Sequence, residues 1–175
     1  MRRLVVLGGG ESGIGTAILG KQKGYDVFVS DSQKIADKYK EVLLHNEIDF
    51  EENQHTESKI FTADVVMKSP GISDKIPMVK KLVEKGISVI SEIEFAAQFT
   101  KATIVGISGS NGKTTTTMLT HHILKNAGIN VGIGGNIGKS FAQLVAENEY
   151  ENYVLELSSF QLDGIEKFNS HIAIL

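Results

Sequence analysis

Three segments of this chain carry the same punctuation. Gly24-Tyr25-Asp26-Val27, Gly86-Ile87-Ser88-Val89 and Gly128-Ile129-Asn130-Val131 each read glycine, apolar, polar, valine. Glycine adopts the left-handed conformation that ends a helix without a Cβ clash, and the apolar residue after it packs back on the last helical turn. A strand then begins. Three such joints imply βαβ units, parallel strands and right-handed crossovers. The apolar runs agree: residues 4–7, 27–29, 64–67, 89–90, 104–107, 131–133 and 153–157 read as strands. Several are apolar at consecutive positions, as strands covered by helices on both faces must be. Between them Val79, Leu82 and Val83, and then Leu119, Ile123 and Ala127, recur at helical spacing. The expected class is α/β.

A length of 175 residues fits one large domain or two small ones, and 41% hydrophobic with 22% charged residues is enough for a real core. The formal charge of −3 leaves no excess of cations to neutralise phosphates, which argues against a general nucleic-acid binder. With no cysteine, disulfides, thiolate catalysis and zinc–thiolate sites are excluded. Met1-Arg2-Arg3 and the apolar residues after it begin like a secretion signal, but Gly8-Gly9-Gly10-Glu11 interrupts the run too soon. No other apolar run approaches membrane-spanning length. The expectation is a soluble, cytoplasmic protein without membrane insertion and with no obligatory protein partner.

Gly8-Gly9-Gly10-Glu11-Ser12-Gly13 follows a strand and opens a helix, matching G-x-G-x-x-G. There glycines permit a tight turn, and the free N–H groups of the helix start face a diphosphate. Asp31, after the second strand, stands near the spacing of an acid that holds a ribose hydroxyl. A nucleotide-diphosphate site and a ligand-free turn are the two readings. Gly106-Ile107-Ser108-Gly109-Ser110-Asn111-Gly112-Lys113-Thr114-Thr115 is the stronger signal, again between strand and helix. Its backbone amides suit phosphates, Lys113 the outer phosphates, and the Thr114 hydroxyl a Mg²⁺ ion. The strict phosphate loop has its first glycine where this chain has Ile107.

Three further segments sit at strand ends. Gly132-Ile133-Gly134-Gly135-Asn136-Ile137-Gly138 is a glycine-dense loop in which Asn136 offers donor and acceptor. Tyr153-Val154-Leu155-Glu156-Leu157-Ser158-Ser159-Phe160-Gln161-Leu162 sets one carboxylate in an apolar strand. A buried charge needs a partner or a metal. Glu156 is therefore either a core glutamate bonded to Ser158 or Ser159, or a Mg²⁺ ligand beside the phosphate loop. Ser69-Pro70-Gly71-Ile72-Ser73 reads as a turn, at a strand end where α/β folds bind ligands. His121, His122, Glu51-Glu52 and Lys80-Lys81 read as solvated surface.

Together these segments resemble the Mur ligases, which add amino acids to UDP-N-acetylmuramoyl precursors. Residues 109–114 look like that family's shortened phosphate loop, which accounts for Ile107. Residues 134–138 and 155–162 are similar to the form seen in members that add D-glutamate to UDP-N-acetylmuramoyl-L-alanine. The resemblance implies a Rossmann-like UDP-binding domain (1–98), then an incomplete P-loop ATPase-type domain (99–175), with the soft boundary at residues 98–103. A C-terminal amino-acid-binding domain is missing. It implies that Gly10, Glu11, Ser12, Asp31 and Ser32 line the UDP site, with Ser69 and Gly71 at its border and Gln33 where some members carry a basic residue. It also implies ATP and Mg²⁺ as cofactors: Gly109, Ser110, Asn111, Gly112, Lys113, Thr114 and Thr115 hold the nucleotide, and Thr114 and Glu156 serve the metal. Lys113, Asn136 and Glu156 are the implied catalytic residues, and Asn136, Ser158, Ser159 and Gln161 face precursor or metal. The implied chemistry is two-step: ATP phosphorylates the precursor carboxylate, and the amine of D-glutamate displaces phosphate.

The apolar end, His171-Ile172-Ala173-Ile174-Leu175, leads to the expectation that the natural protein continues, that this piece is inert in ligation, and that its unpaired edges are poorly ordered or self-associating. The alternatives are a sister Mur ligase or folylpolyglutamate synthetase, a dinucleotide-dependent oxidoreductase built on the first loop, and a non-catalytic nucleotide-binding module.

Overall fold

A computed structural model describes residues 1–175. The chain forms two parallel sheets. The first contains β1 (Arg3–Leu7), β2 (Asp26–Ser30), β3 (Asp49–Glu51), β4 (Val65–Lys68) and β5 (Ser88–Ile90) in the order β3-β2-β1-β4-β5. The second contains β6 (Thr103–Ile107), β7 (Val131–Gly135), β8 (Asn152–Glu156) and β9 (Ile172–Ile174) in the order β7-β8-β6-β9. Helices α1 (Glu11–Gln22), α2 (Asp37–His45), α3 (Glu57–Ile60), α4 (Pro77–Glu84) and α5 (Glu92–Ala97) alternate with the first five strands; α6 (Lys113–Asn126), α7 (Phe141–Glu147) and α8 (Ser159–Leu162) alternate with the rest. The α/β class is as the repeated joints imply.

The joints have the expected geometry. Gly24, Gly86 and Gly128 have φ of 79°, 73° and 79°. The amides of Tyr25, Ile87 and Ile129 then reach back to the carbonyls of Gly20, Leu82 and Leu124 at 3.0, 3.0 and 3.1 Å. A fourth joint is disguised. Glu47 takes φ 52°, and Ile48 N–H donates to Leu43 O at 2.9 Å, feeding β3. Glutamate in the glycine position hid both the joint and the strand, because a left-handed non-glycine residue costs about 1 kcal/mol and gives no sequence signal.

Burial corrects the surface reading of Glu51-Glu52. Glu51 is buried, with its Oε1 accepting from Ser30 Oγ and from Thr56 N–H, both at 2.7 Å. Burial alone would raise its pKa, but the bonds from Thr56 and Ser30 outweigh that and lower it. Glu52 accepts from Ile35 N–H at 2.8 Å. Two consecutive acids at a strand end thus accept from β2, from the loop after it and from the cap of α3, a use that charge patterning alone does not reveal.

One apolar core runs between the sheets. Leu4, Val6 and Met67 from the first meet Ile14 and Leu19 of α1, and this cluster continues through Phe141 and Leu144 of α7 to Tyr153 and Leu155 of the second. Each fully buried side chain of that size contributes about 1.5–3 kcal/mol. Helices α1 and α7 approach closely, since a Cβ on Gly15 would lie 2.3 Å from Ser140 Oγ. By contrast α6 buries only Thr117 and leaves Met118, Leu119 and Ile123 more than half exposed.

Candidate phosphate-binding loops

Both glycine loops stand at the carboxyl ends of strands from which the chain leaves into a helix. In the first, Gly8 N–H donates to Ser30 O at 2.9 Å and Gly9 N–H to Asp31 Oδ2 at 2.7 Å. The amides of Gly10, Glu11, Ser12 and Gly13 have no acceptor within the chain, and Gly10 caps α1 without a side-chain bond. Free amides at a helix start carry the positive end of the helix dipole. Close packing keeps the turn tight: a Cβ on Gly13 would lie 1.9 Å from Gly8 O. Ser69 adjoins this loop, with its Oγ 2.6 Å from where a Gly8 Cβ would stand; that Oγ is buried without a partner. The second oxygen of Asp31 accepts from Gln33 N–H at 2.8 Å. Its carboxylate therefore braces the loop. Ser32 and Gly71 are exposed beside it.

The second loop is more open. No backbone N–H from residue 109 to residue 115 donates to any group of the chain, and the ladder of α6 starts only with Thr116 N–H to Gly112 O at 2.9 Å. None of these residues is buried. Gly112 caps α6 at φ 77°, a left-handed turn of the kind found where successive amides form an anion-binding concavity. Lys113 Nζ donates to Gly109 O at 2.7 Å and closes the loop across its mouth. Free amides in such an array, with a lysine beside them, are the groups an anion would use.

Next to it lies Glu156, 2% exposed at the end of β8. Thr114 Oγ1 donates to its Oε2 at 2.7 Å, and Asn136 Nδ2 donates to its Oε1 at 2.8 Å. This corrects one reading of Glu156: its partners are Thr114 and Asn136, not Ser158 or Ser159. The Asn136 loop is itself pinned to β8, with Asn136 N–H on Glu156 O at 2.8 Å. Gly135, at φ 97°, leaves only 2.3 Å between a would-be Cβ and that same carbonyl. Ser158 and Gln161 cap α8 reciprocally: Gln161 Oε1 accepts from Ser158 N–H at 3.1 Å while Ser158 Oγ accepts from Gln161 N–H at 3.4 Å. Ser159 is exposed beside them.

The phosphate-loop, Asn136 and Glu156 positions thus converge at the second sheet, and the residues named for the UDP site gather at the first. A cleft of about 520 Å³ lined by Lys23, Phe99, Tyr150 and Tyr153 includes none of these loop residues. Two buried acids escaped the sequence reading. Glu92 and Glu94 lie in the first turn of α5, and the available signal was Ser91 followed by alternating acids and an apolar run, the pattern of a capped helix start. Burial drives the Glu92 pKa up to about 7.

No helix is long and apolar enough to cross a membrane. The MurD N-terminal domain model matches residues 3–78, and the Mur ligase middle domain model matches residues 107–175. The chain is 68% identical over 174 residues to the UDP-N-acetylmuramoylalanine–D-glutamate ligase of Christiangramia forsetii, covering 99% of this chain and 39% of that protein. It is 56% identical over 175 residues to the enzyme of the same name from Bacteroides fragilis, again covering 39% of it. The chain therefore spans about two fifths of the length of these curated relatives. Among solved structures, a murein peptide ligase from Psychrobacter arcticus shares the fold at a TM-score of 0.63 and 20% identity, over 92% of this chain and 38% of that one. A pseudomurein peptide ligase type C from Methanothermus fervidus matches at 0.54 and 31% identity, over 89% and 33%. Matched by both domain models in order along its length, the chain belongs to the Mur ligase family.

Proposed function

We propose that this chain supplies the precursor-binding and ATP-binding parts of a cytoplasmic ligase that joins D-glutamate to UDP-N-acetylmuramoyl-L-alanine. Residues 1–98 form the UDP-precursor domain and residues 99–175 the first part of the ATP-binding domain. One observation carries the reading: a run of unpartnered amides from residue 109 to 115 ends beside a buried carboxylate already bonded to Thr114 and Asn136.

Mg²⁺ fits the donor set there. It takes oxygen ligands at about 2.0–2.1 Å, so neighbouring ligands of an octahedron stand roughly 3 Å apart. Thr114 Oγ1 and Glu156 Oε2 are 2.7 Å apart, both hard oxygen donors. Bound there, the ion would neutralise phosphate charge. The chain's own groups do the rest: the loop amides and Lys113 hold the phosphates of ATP, and Asn136 keeps Glu156 oriented while facing the precursor. In the first sheet Gly10, Glu11 and Ser12 offer their amides to the UDP diphosphate, Asp31 and Ser32 flank the ribose, and Ser69 and Gly71 border the site. Ser158 and Gln161 shape the α8 turn beside Ser159 toward the precursor. Phosphoryl transfer of this kind is mostly positioning and charge neutralisation.

Thermal unfolding with separate ligands tests the assignment. UDP-N-acetylmuramoyl-L-alanine and ATP–Mg²⁺ should each raise the Tm, and NADH should not; a ligand at a hundred times its Kd contributes about 2.7 kcal/mol. Stabilisation by NADH alone would replace the ligase with an oxidoreductase.

A further inference from the structure

The first turn of α5, which follows the last strand of the first sheet, is plugged into the second half of the chain at three places. Ser91 N–H donates to Gly164 O at 2.9 Å. Glu92 Oε1 accepts from Ala142 N–H, in the first turn of α7. Glu94 Oε2 accepts from Glu166, Lys167 and Phe168 N–H at 3.0, 3.0 and 2.8 Å. The two acids are 1% and 4% exposed. Taking two carboxylates out of water is costly, and Glu92 keeps one buried oxygen, Oε2, with no partner at all. Replacing buried charged groups by apolar side chains of similar volume is often neutral or stabilising, so stability alone does not call for two acids here.

What the acids hold explains their presence. Ala142 is the second residue of α7, the helix that follows the loop carrying Asn136, and residues 166–168 follow the α8 turn capped by Ser158 and Gln161. Each carboxylate therefore grips the far flank of a segment that borders the second site, while α5 itself packs through Ile93 and Phe95 into the core of the first sheet. We propose that Glu92 and Glu94 are positioning residues that fix the distance between the diphosphate loop of the first sheet and the Asn136–Glu156 centre of the second. The proposal rests on the reading of the first loop as a UDP site. A substrate with its nucleotide on one sheet and its reactive carboxylate at the other meets a preset gap, so its binding depends on the clamp. A ligand confined to one loop does not sense it.

Calorimetric titration of the full chain with UDP and with UDP-N-acetylmuramoyl-L-alanine reads this directly. In Glu92→Ala and Glu94→Ala the long substrate should lose at least tenfold in affinity while UDP is unchanged. Glu92→Gln should retain wild-type affinity for both, because its amide oxygen still accepts from Ala142. Equal losses for both ligands, or none, overturn the clamp. A second arm needs no clamp variant. The chain has no cysteine, so spin labels can be placed at exposed Lys38 and Lys125 after substitution to cysteine. A narrow distance distribution, unchanged by UDP, is expected; a broad one overturns the proposal. If the wild-type chain binds neither UDP nor the precursor, the UDP reading falls, and the label distances still report separately on whether the sheets are clamped.

Discussion

Thr114 Oγ1 donates to Glu156 Oε2 across 2.7 Å, tying the first turn of α6 to the end of β8. Because Asn136 takes the other carboxylate oxygen, the three strand-end loops of the second sheet meet on one side chain. Both donors are neutral, so the carboxylate oxygens stay available to a cation.

Substituting Glu156→Gln tests that availability. The glutamine can still accept from Thr114, and Asn136 can turn its amide to present an oxygen, so the fold should change by less than about 1 kcal/mol. Mg²⁺-dependent binding of ATP should fall at least tenfold. Titration with and without the metal measures it, and an unchanged metal dependence refutes the role.

Glu92 makes stability depend on pH. Its folded pKa is raised by burial to about 7 from an ordinary 4.5. The folded state therefore prefers the protonated acid, and ionisation is a loss. That loss is absent below pH 4.5, grows as pH rises toward 7, and is constant above. The full effect is of the order of 3 kcal/mol at most. Urea unfolding from pH 5 to 8 should show the Glu92→Gln chain gaining on wild type as pH rises. Parallel curves would contradict it.

Two glycines of one loop should respond differently to alanine. At Gly13 the added Cβ meets Gly8 O at 1.9 Å, whereas at Gly10 nothing lies within 4 Å. Gly13→Ala should cost more than about 2 kcal/mol and abolish stabilisation by UDP, through a backbone clash that the loop cannot absorb. Gly10→Ala should fold as wild type. Denaturant midpoints and UDP-induced shifts in Tm decide.

Replacing Glu47 by glycine should stabilise the chain. Its φ of 52° is natural for glycine and strained for glutamate, and the gain is up to about 1 kcal/mol. For a chain of this size that is a rise in Tm of roughly 2–4 °C. A lower Tm would contradict the reading of the joint.

Glu47 also marks where the sequence stopped being legible. The other three joints announce themselves with glycine, and the strands they feed were readable with bounds within a residue or two. β3 was not, because its joint spends backbone strain instead of glycine and its last residue is an acid. The loop of residues 109–115 was legible as a strand-to-helix turn because its glycines and lysine stand in order between an apolar strand and a helical pattern. The partners of Glu156 were not, since Thr114 and Asn136 lie 42 and 20 residues away and meet it only through strand order. Glu92 and Glu94 were legible only as acids at a helix start, and their burial was hidden for a related reason. Their charge suggests solvent, and only the approach of α7 and of residues 166–168 supplies the donors that make burial possible.

Residues 109–115 should hold ATP–Mg²⁺ independently of the first loop, which separate titrations of ATP–Mg²⁺ and UDP into wild type and Lys113→Ala measure. Wild type should bind both, and the variant should lose at least tenfold in ATP–Mg²⁺ affinity while binding UDP as before. A wild-type chain that ignores ATP–Mg²⁺, or a variant that binds it equally well, would mean that these residues hold no nucleotide.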